Sequence, residues 1–538
     1  MKQPWGVWRS LGTIVLIGWA SCVLPHLQAG WNGLLTPGEN QSLRRQAEQW
    51  EETGQWIKAS DAWQHVLGKN RDLPGAREHY QLCMRRAQQT RRHLDQTYRQ
   101  QVLGLSLQDS LRIYSDVLSQ LQTYYVDTDK SAPPLLFRQG LEELRAALDS
   151  EAFCRDYSIR ADAAAKHVFQ TRLQSTELDS PVRRVQDAQN LAREIALAGQ
   201  KLLGLKPAVA ILEFACGACS ALDEYTCYLT PGEFEEINAS WKGEVVGVGA
   251  ELAVAEKKLI IVRITPGSSA EIGGLRPGDR ILRIGQKATA NMAAAAANDM
   301  LKGEAGSKVE LEVANGDKRP RVVQLKRELV RAPSVSDPRF LEERSGIGYL
   351  RILGFQEATV QELDVAITKL QVAGMKTLIL DLRGNPGGLF DVALQVAERF
   401  LSSGVIVATH GQYFRYSQTY EAHGMNSLAV PLVVLVDGET ASSAEMLASA
   451  IKDNQRGTLV GKTTFGKGCI QRIHKLTTAP AGIRMTVAKF YSPRGLDYSG
   501  SGVSPNLDVP TSDLPPELEQ DAQIQAALDV ARSLAMGR

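Results

Sequence analysis

Ser442 and Lys467 are the residues whose setting could carry chemistry. The stretch Val436-Asp437-Gly438-Glu439-Thr440-Ala441-Ser442-Ser443-Ala444-Glu445 runs from an apolar strand-like segment, through small and polar residues, into a helical pattern. A hydroxyl placed there sits at a helix N-terminus, where unpaired backbone N–H groups favour developing negative charge. The same place suits plain N-capping by Ser442 or Ser443. Lys467 lies in Thr463-Thr464-Phe465-Gly466-Lys467-Gly468, framed by glycines rather than by other charges. A solvated loop lysine is the simpler reading of that segment, and the spacing is not that of a phosphate loop. Together the two residues permit a serine/lysine dyad, in which a neutral amine takes the hydroxyl proton. With an ordinary pKa of about 10.4, only about one lysine in 2,500 is neutral at pH 7, a deficit of roughly 4.6 kcal/mol. An apolar pocket removes most of that, and Phe465 with the adjoining strands is the expected wall.

A third segment, Asp381-Leu382-Arg383-Gly384-Asn385-Pro386-Gly387-Gly388, follows a buried-type strand. Its paired glycines let backbone approach a ligand, and their N–H groups could form half of an oxyanion hole; a strand-to-helix turn explains them equally well. A histidine triad fits poorly, because His410, His423 and His474 have no comparable glycine-framed setting. Neither GxSxG nor HExxH spacing occurs where it would be needed, so no metal and no cofactor is expected. Cys216 and Cys219 have CxxC spacing, but without a second pair or a close histidine they read as neighbours on one helix.

The elements that must hold these residues are legible in the patterning. Leu378–Leu382 and Leu432–Val436 are short, wholly apolar strands, Ile347–Ile352 and Thr458–Val460 are further strands, and helical patterns cover 360–373, 392–401 and 444–451. This alternation predicts parallel pairing with crossover helices. Before it, 235–330 is glycine-rich and β-branched, with strands expected at 259–264, 281–284 and 309–313 around one helix at 293–301. Residues 106–234 read as helical, with an apolar stripe at Ile113, Val117, Leu118 and Leu121, a break at 127–134 and a continuous helical stretch over 159–204. Residues 30–105 form an amphipathic hairpin similar to one tetratricopeptide-like unit, and 513–538 a terminal helix. The fold class is therefore multidomain α+β, with an α/β core at 331–512.

The chain has 538 residues, enough for three or four such units, with 43% hydrophobic and 22% charged residues. Its 61 basic and 60 acidic residues give a net charge of +1, which offers no electrostatic reason to expect nucleic acid as a partner. Lys2 and Arg9 precede an apolar run from Leu11 to Leu24 that is too short to span a bilayer, and Leu27-Gln28-Ala29 offers a cleavage site. Residues 1–29 thus read as a signal peptide, with retention as an N-terminal anchor the alternative; a lipid-modified Cys22 fits less well, since Trp19-Ala20-Ser21 is a poor lipoprotein box. Export to the periplasm or cell envelope follows.

Residues 106–535 resemble the carboxyl-terminal processing, or tail-specific, proteases, which are PDZ-bearing serine endopeptidases. The resemblance rests on ordered pieces: Leu222-Asp223-Glu224-Tyr225-Thr226 with Leu229-Thr230-Pro231; Gly247-Val248-Gly249 with Gly274-Leu275-Arg276-Pro277-Gly278-Asp279; and Gly348-Tyr349-Leu350-Arg351-Ile352. The Asp381–Gly388 and Thr464–Gly468 segments, and Phe490-Tyr491-Ser492-Pro493-Arg494-Gly495 followed by Gly502-Val503-Ser504-Pro505, complete it. The resemblance implies a PDZ domain at 235–330, with Gly247, Val248 and Gly249 binding a peptide carboxylate. It implies Ser442 as nucleophile, Lys467 as base and Gln471 as its support. It places the oxyanion hole at Gly388 and the N–H of Ser443, with Gly387 the nearest alternative. The family usually reads Ser-Ala-Ser-Glu where this chain has Ser442-Ser443-Ala444-Glu445, so Ser443 competes as nucleophile, although the spacing to Lys467 favours Ser442; Asp453 reads as structural. The expected partners are proteins captured by their C-termini. The helices of 30–105 fall outside the resemblance and would dock adaptors or mediate self-assembly, and the N-terminus would supply any membrane association. An inactive PDZ-bearing scaffold is the rival reading, which the presence of both Ser442 and Lys467 disfavours.

Overall fold

The computed structural model describes residues 14–16, 37–69, 73–159, 162–179, 182–255, 258–290, 292, 294–315, 319–424, 427–510 and 521–536. Most of the expected signal segment, including Cys22 and the cleavage site, lies outside them. The first helices, Pro37–Glu52 and Trp56–Lys69, form a hairpin that closes with Ala76–Leu94 over a core of its own, including Ala47, Trp63, Tyr80 and Met84. The far end of Ala76–Leu94 enters the next layer through buried charge: Arg92 meets Glu143 at 2.9 Å and Glu213 at 2.8 Å, and Gln89 donates to Glu213 at 3.1 Å. The helix carrying Glu213, Pro207–Ser220, is apolar on nearly every side and runs through the centre of the helical half. It approaches Pro133–Asp149 closely because glycines face each other: a Cβ on Gly217 would stand 2.6 Å from the Gln139 carbonyl, and one on Gly140 2.6 Å from the Phe214 ring. Cys216 and Cys219 lie on successive turns of this helix, and burial pushes both thiols well up.

The helical stretch expected over 159–204 is two helices, Ala163–Asp179 and Val185–Leu203. Pro181 in the sequence between them lacks a donor N–H and disfavours helix before it.

The β-rich module is a sheet ordered Ala250–Ala255, Lys258–Ile264, Arg280–Ile284, Lys308–Ala314, Arg321–Lys326, with the helix Ala294–Leu301 against its first strand. It has a separate apolar core around Val248, Leu252, Ile261, Ile281 and Leu311. The expected tight turn is present: Asp279 accepts from Arg276 N at 3.0 Å, and Gly274 and Gly278 take left-handed φ of 71° and 89°. The chain enters and leaves this module through a two-stranded ribbon, Glu244–Gly247 antiparallel to Glu328–Arg331.

The α/β core has two sheets. In the first, Val335–Glu342 pairs antiparallel with Ile347–Ile352, after which Thr377–Asp381, Leu432–Val436, Thr458–Gly461 and Leu507–Asp508 follow in parallel. The wholly buried central strands explain their unbroken apolar sequences. Crossover helices Thr359–Val372, Phe390–Glu398 and Ser443–Asp453 connect them, while the terminal helix Ala522–Met536 covers Ile379, Val433 and Leu435. The second sheet is built on Cys469–Lys475 and Gly482–Tyr491, and the helical half joins it by the strand Cys227–Leu229. Backbone of Ile14–Leu16 lies between Gly388–Leu389 and Gln471–Arg472. Among the described residues no helix is long and apolar enough to cross a membrane.

The glycine contact at the helical centre is directly testable. Gly217→Ala should cost about 1–3 kcal/mol through overpacking. Gly68→Ala, in open space on the Trp56–Lys69 helix, should be neutral or stabilising by up to about 1 kcal/mol. Thermal melts followed by far-ultraviolet circular dichroism would separate the two.

Candidate active site

The central strand Leu432–Val436 ends in a turn that forces Ser442 to φ 62°, ψ −119°, a backbone region that costs a side-chain-bearing residue about 1–3 kcal/mol. Neighbouring bonds hold it there. Ala441 N donates to Asn385 O at 2.9 Å, Phe465 N to Thr440 O at 3.0 Å, and Ser442 N to Glu445 Oε2 at 2.8 Å. Ser442 Oγ is buried and makes no hydrogen bond among the described residues. Its neighbour differs: Ser443 Oγ donates to the Gly388 carbonyl at 3.0 Å. The Ser443 N–H belongs to the first helical turn, where no intrahelical acceptor exists. Thus the hydroxyl of Ser443 is engaged and that of Ser442 is not.

Lys467 is buried in the loop leading to Cys469–Lys475. Its Nζ stands 4.8 Å from the centroid of the Tyr225 ring, which comes from the segment before Cys227–Leu229. Burial lowers its ammonium to about 8, with Arg484 adding to the effect and Cys469, Glu224 and Asp223 opposing it. At that value about one amine in ten is neutral at pH 7, against about one in 2,500 for a free lysine. The aromatic face recorded against Lys467 thus comes from more than two hundred residues earlier in the chain. Tyr225 is hydrogen-bonded to Glu224, whose carboxyl burial pushes up; that carboxyl also lies within electrostatic reach of Arg77 and Tyr80 on Ala76–Leu94.

One carboxylate joins the two residues. Glu445 Oε2 accepts from Ser442 N and from Lys467 N, each at 2.8 Å, so those two nitrogens are no more than twice that distance apart. Its Oε1 accepts from Thr464 Oγ1 at 2.5 Å and Gly466 N at 2.6 Å. Burial raises the Glu445 carboxyl, and these four donors pull the other way. Thr464 Oγ1 in turn accepts from Val503 N at 2.7 Å, and a Cβ on Gly466 would meet Gly500 and Gly502 at 2.9–3.0 Å, so the lysine loop is clamped from both sides.

Gln471 is fully buried on the strand after Lys467. Its Nε2 donates to Cys469 Sγ at 3.0 Å, and its Oε1 takes no hydrogen bond among the described residues. With Ser442 Oγ and Gln471 Oε1 both unbonded, neither is hydrogen-bonded to the Lys467 amine in this state. Catalytic contacts in substrate-free enzymes are often open in this way and close on the bound substrate.

Across from Ser442, Asn385 organises the glycine turn. Its Nδ2 donates to Ile352 O, and its Oδ1 accepts from Gly387 N at 2.9 Å. A Cβ on Gly387 would stand 2.9 Å from Ser442 Cβ and 3.1 Å from Ser443 N. Gly387 therefore abuts Ser442, and its N–H is already committed to Asn385. Gly388 pairs with Leu16 in the second sheet and its carbonyl receives the Ser443 hydroxyl. Behind the turn Asp381 is buried, yet the Arg383 guanidinium at 2.7 Å outweighs that burial and holds its carboxyl below the usual range; Arg383 also reaches Asp521 at 2.6 Å.

In the β-rich module, Val248 O and Gly249 O accept from Ala270 N and Thr265 N, each at 2.8 Å, which turns the carbonyls of the Gly247–Gly249 loop into the domain. Asp453 accepts from Arg494 N at 3.4 Å, away from the site.

Sequence reasoning passed over Glu445, Asn385 and Tyr225. Glu445 carried a signal, the Ser-x-x-Glu spacing of a capping box, and Asn385 lay inside a quoted motif. Tyr225 had none beyond its motif, because no spacing rule links it to Lys467. Glu445→Gln should keep the fold but turn an N–H₂ group toward a backbone donor. It should cost about tenfold or more in kcat, together with about 1–3 kcal/mol of stability. Peptide hydrolysis and thermal melts on the same preparation check both.

Residues 346–509 match the model of peptidase family S41, and 237–314 that of the PDZ domain. A carboxyl-terminal-processing protease of Picosynechococcus sp. is 35% identical over 316 residues, spanning 57% of this chain and 75% of that protein. One of Synechocystis sp. is 36% identical over 321 residues, spanning 58% and 74%. The solved photosystem II D1 C-terminal processing protease is 27% identical, with a TM-score of 0.41 over 77% of this chain and 96% of its own. By its sequence relatives, its S41 core and its inserted PDZ domain, this chain belongs to the carboxyl-terminal-processing proteases, serine-type peptidases of family S41.

Proposed function

We propose that the protein is an exported endopeptidase that captures protein C-termini on its PDZ domain and cuts the polypeptide with a Ser442/Lys467 dyad. The observation that carries this reading is the shared Glu445 carboxylate, which fixes an unbonded, buried serine hydroxyl and a desolvated lysine on one anchor. Ser442 Oγ attacks the scissile carbonyl while its proton passes to neutral Lys467 Nζ. The oxyanion so formed is received by the N–H groups of Gly388 and Ser443. Collapse breaks the C–N bond, Lys467 returns the proton to the leaving amine, and an ester remains on Ser442. Water then gives a proton to Lys467 and attacks the ester, and as the ester C–O bond breaks Lys467 passes that proton to Ser442 Oγ, releasing the carboxylic acid and the free serine. Gln471, whose buried carboxamide oxygen has acceptor capacity to spare, steadies the ammonium as the dyad closes. The protein works in the periplasm or envelope, with residues 1–29 acting as signal or anchor. The hairpin of Pro37–Glu52 and Trp56–Lys69 offers an adaptor or assembly surface.

The roles separate by substitution. Ser442→Ala should abolish turnover and leave the fold intact. Ser443→Ala, which loses one bond to Gly388 O, should retain measurable turnover. Lys467→Arg should be as inactive as Lys467→Ala, because arginine keeps the charge but stays protonated. Hydrolysis of an unfolded protein substrate by the four variants decides it, and appreciable turnover by Lys467→Arg would remove Lys467 as the base.

The pH dependence has a definite sign. The base acts in its neutral form, so kcat/KM should rise with pH through one ionisation near 8 and level off above it. A profile already flat from pH 6 to 9 would contradict proton transfer to Lys467.

A further inference from the structure

The PDZ domain contains a contact that tail capture leaves unexplained. Ala250–Ala255 is an edge strand: Lys258–Ile264 pairs with one side, and among the described residues no strand pairs with the other. On that open side lies the helix Ala294–Leu301, and Asn298 reaches from it to the strand. Leu252 N donates to Asn298 Oδ1 at 2.9 Å, and Asn298 Nδ2 donates to Leu252 O at 2.9 Å. A residue that exchanges both bonds with one partner is the hydrogen-bonded pair of an antiparallel ladder. A side-chain carboxamide has the same donor and acceptor as a peptide bond. Asn298 thus makes the two bonds that a neighbouring strand would make at Leu252.

The proposal that follows rests on the reading that the PDZ domain captures C-termini. A tail whose carboxylate lies on Gly247–Gly249 and that runs along Ala250–Ala255 must pass Leu252, three residues beyond the loop, and needs those same two groups. We propose that Asn298 imitates a bound tail and sets the affinity of the groove, so that a C-terminus binds by displacing the carboxamide from Leu252. The helix itself is held in place. Arg327 donates to Met300 O at 2.8 Å and Leu301 O at 3.2 Å, closing the helix C-terminus, and also to Ser307 Oγ and Lys308 O, each at 3.1 Å. Opening therefore belongs to the Asn298 side chain rather than to withdrawal of the helix. A ligand that covers only part of the strand gains too little to replace two formed bonds, and the groove rejects it.

The test uses the full chain carrying Ser442→Ala, so that the probe survives. The probe is a fluorescent ten-residue peptide with an apolar C-terminus, as free acid and as amide. Adding Asn298→Ala should tighten binding of the free acid about tenfold, because the two competing bonds are gone. Asn298→Asp can accept from Leu252 N but cannot donate to Leu252 O; it should fall between the two and serves if the alanine variant is unstable by circular dichroism. In the chain with Ser442 intact, Asn298→Ala should lower KM for a tail-bearing substrate and leave kcat unchanged. Free-acid binding that is equal or weaker in both Asn298 variants, with the amide still discriminated against, overturns this proposal alone. No binding, or no preference for the acid over the amide in any variant, overturns the capture reading beneath it.

Discussion

The active site depends on one buried carboxylate. Glu445 belongs to the first core sheet through the helix that follows Leu432–Val436, and Lys467 stands at the entrance to the second sheet. Each of these layers could pack without fixing its edge against the other at sub-ångström precision. Four hydrogen bonds to a single side chain supply that fixing, and they do so through backbone and Thr464 rather than through the side chains of Ser442 and Lys467. The arrangement leaves Ser442 Oγ without a hydrogen bond among the described residues. It also maintains Ser442 in a conformation that an isolated turn would relax within nanoseconds.

The same logic extends outward. Desolvation of Lys467 comes in part from Tyr225, and Tyr225 is in place because Cys227–Leu229 adds to the second sheet beside Gly482–Tyr491. The helical half is therefore a wall of the Lys467 pocket as well as a neighbour. Its own cohesion passes through the buried Arg92–Glu143–Glu213 cluster, which joins the N-terminal hairpin to the central helix. Breaking one member of such a cluster leaves an uncompensated buried charge, so the hairpin is tied to the protease more firmly than its separate apolar core suggests.

What could be read from the sequence was what repeats locally. The unbroken apolar runs at 378–382 and 432–436 announce strands buried on both faces, and the glycine frames around Lys467 and at 387–388 announce close backbone approaches. What could not be read depends on pairing across distance. Gly387 and Gly388 are equivalent as letters. The structure distinguishes them: the Asn385 side chain takes the Gly387 N–H, and the Gly388 carbonyl takes the Ser443 hydroxyl. Spacing to Lys467 alone separated Ser442 from Ser443 in the sequence, and the structure adds that Ser443 Oγ is engaged on Gly388 O. Acids near Lys467 were invisible in the local sequence because Asp223 and Glu224 arrive from more than two hundred residues earlier in the chain. The alanine- and glutamine-rich composition of 159–204 announces helix without marking where one helix ends and the next begins.

The ribbon of Glu244–Gly247 and Glu328–Arg331 bears on how the chain assembles. Roughly eighty residues separate Gly247 from Glu328, and bringing the ends of an unstructured loop that long together costs about 4 kcal/mol of chain entropy. Because the PDZ domain has its own core and its termini lie side by side, its independent folding removes that cost before the central strands of the protease need to pair. To the rest of the chain the inserted domain then counts as a short hairpin. The order of synthesis suits this: helices first, then the insertion, then the parallel strands, whose long-range contacts are the slowest to form.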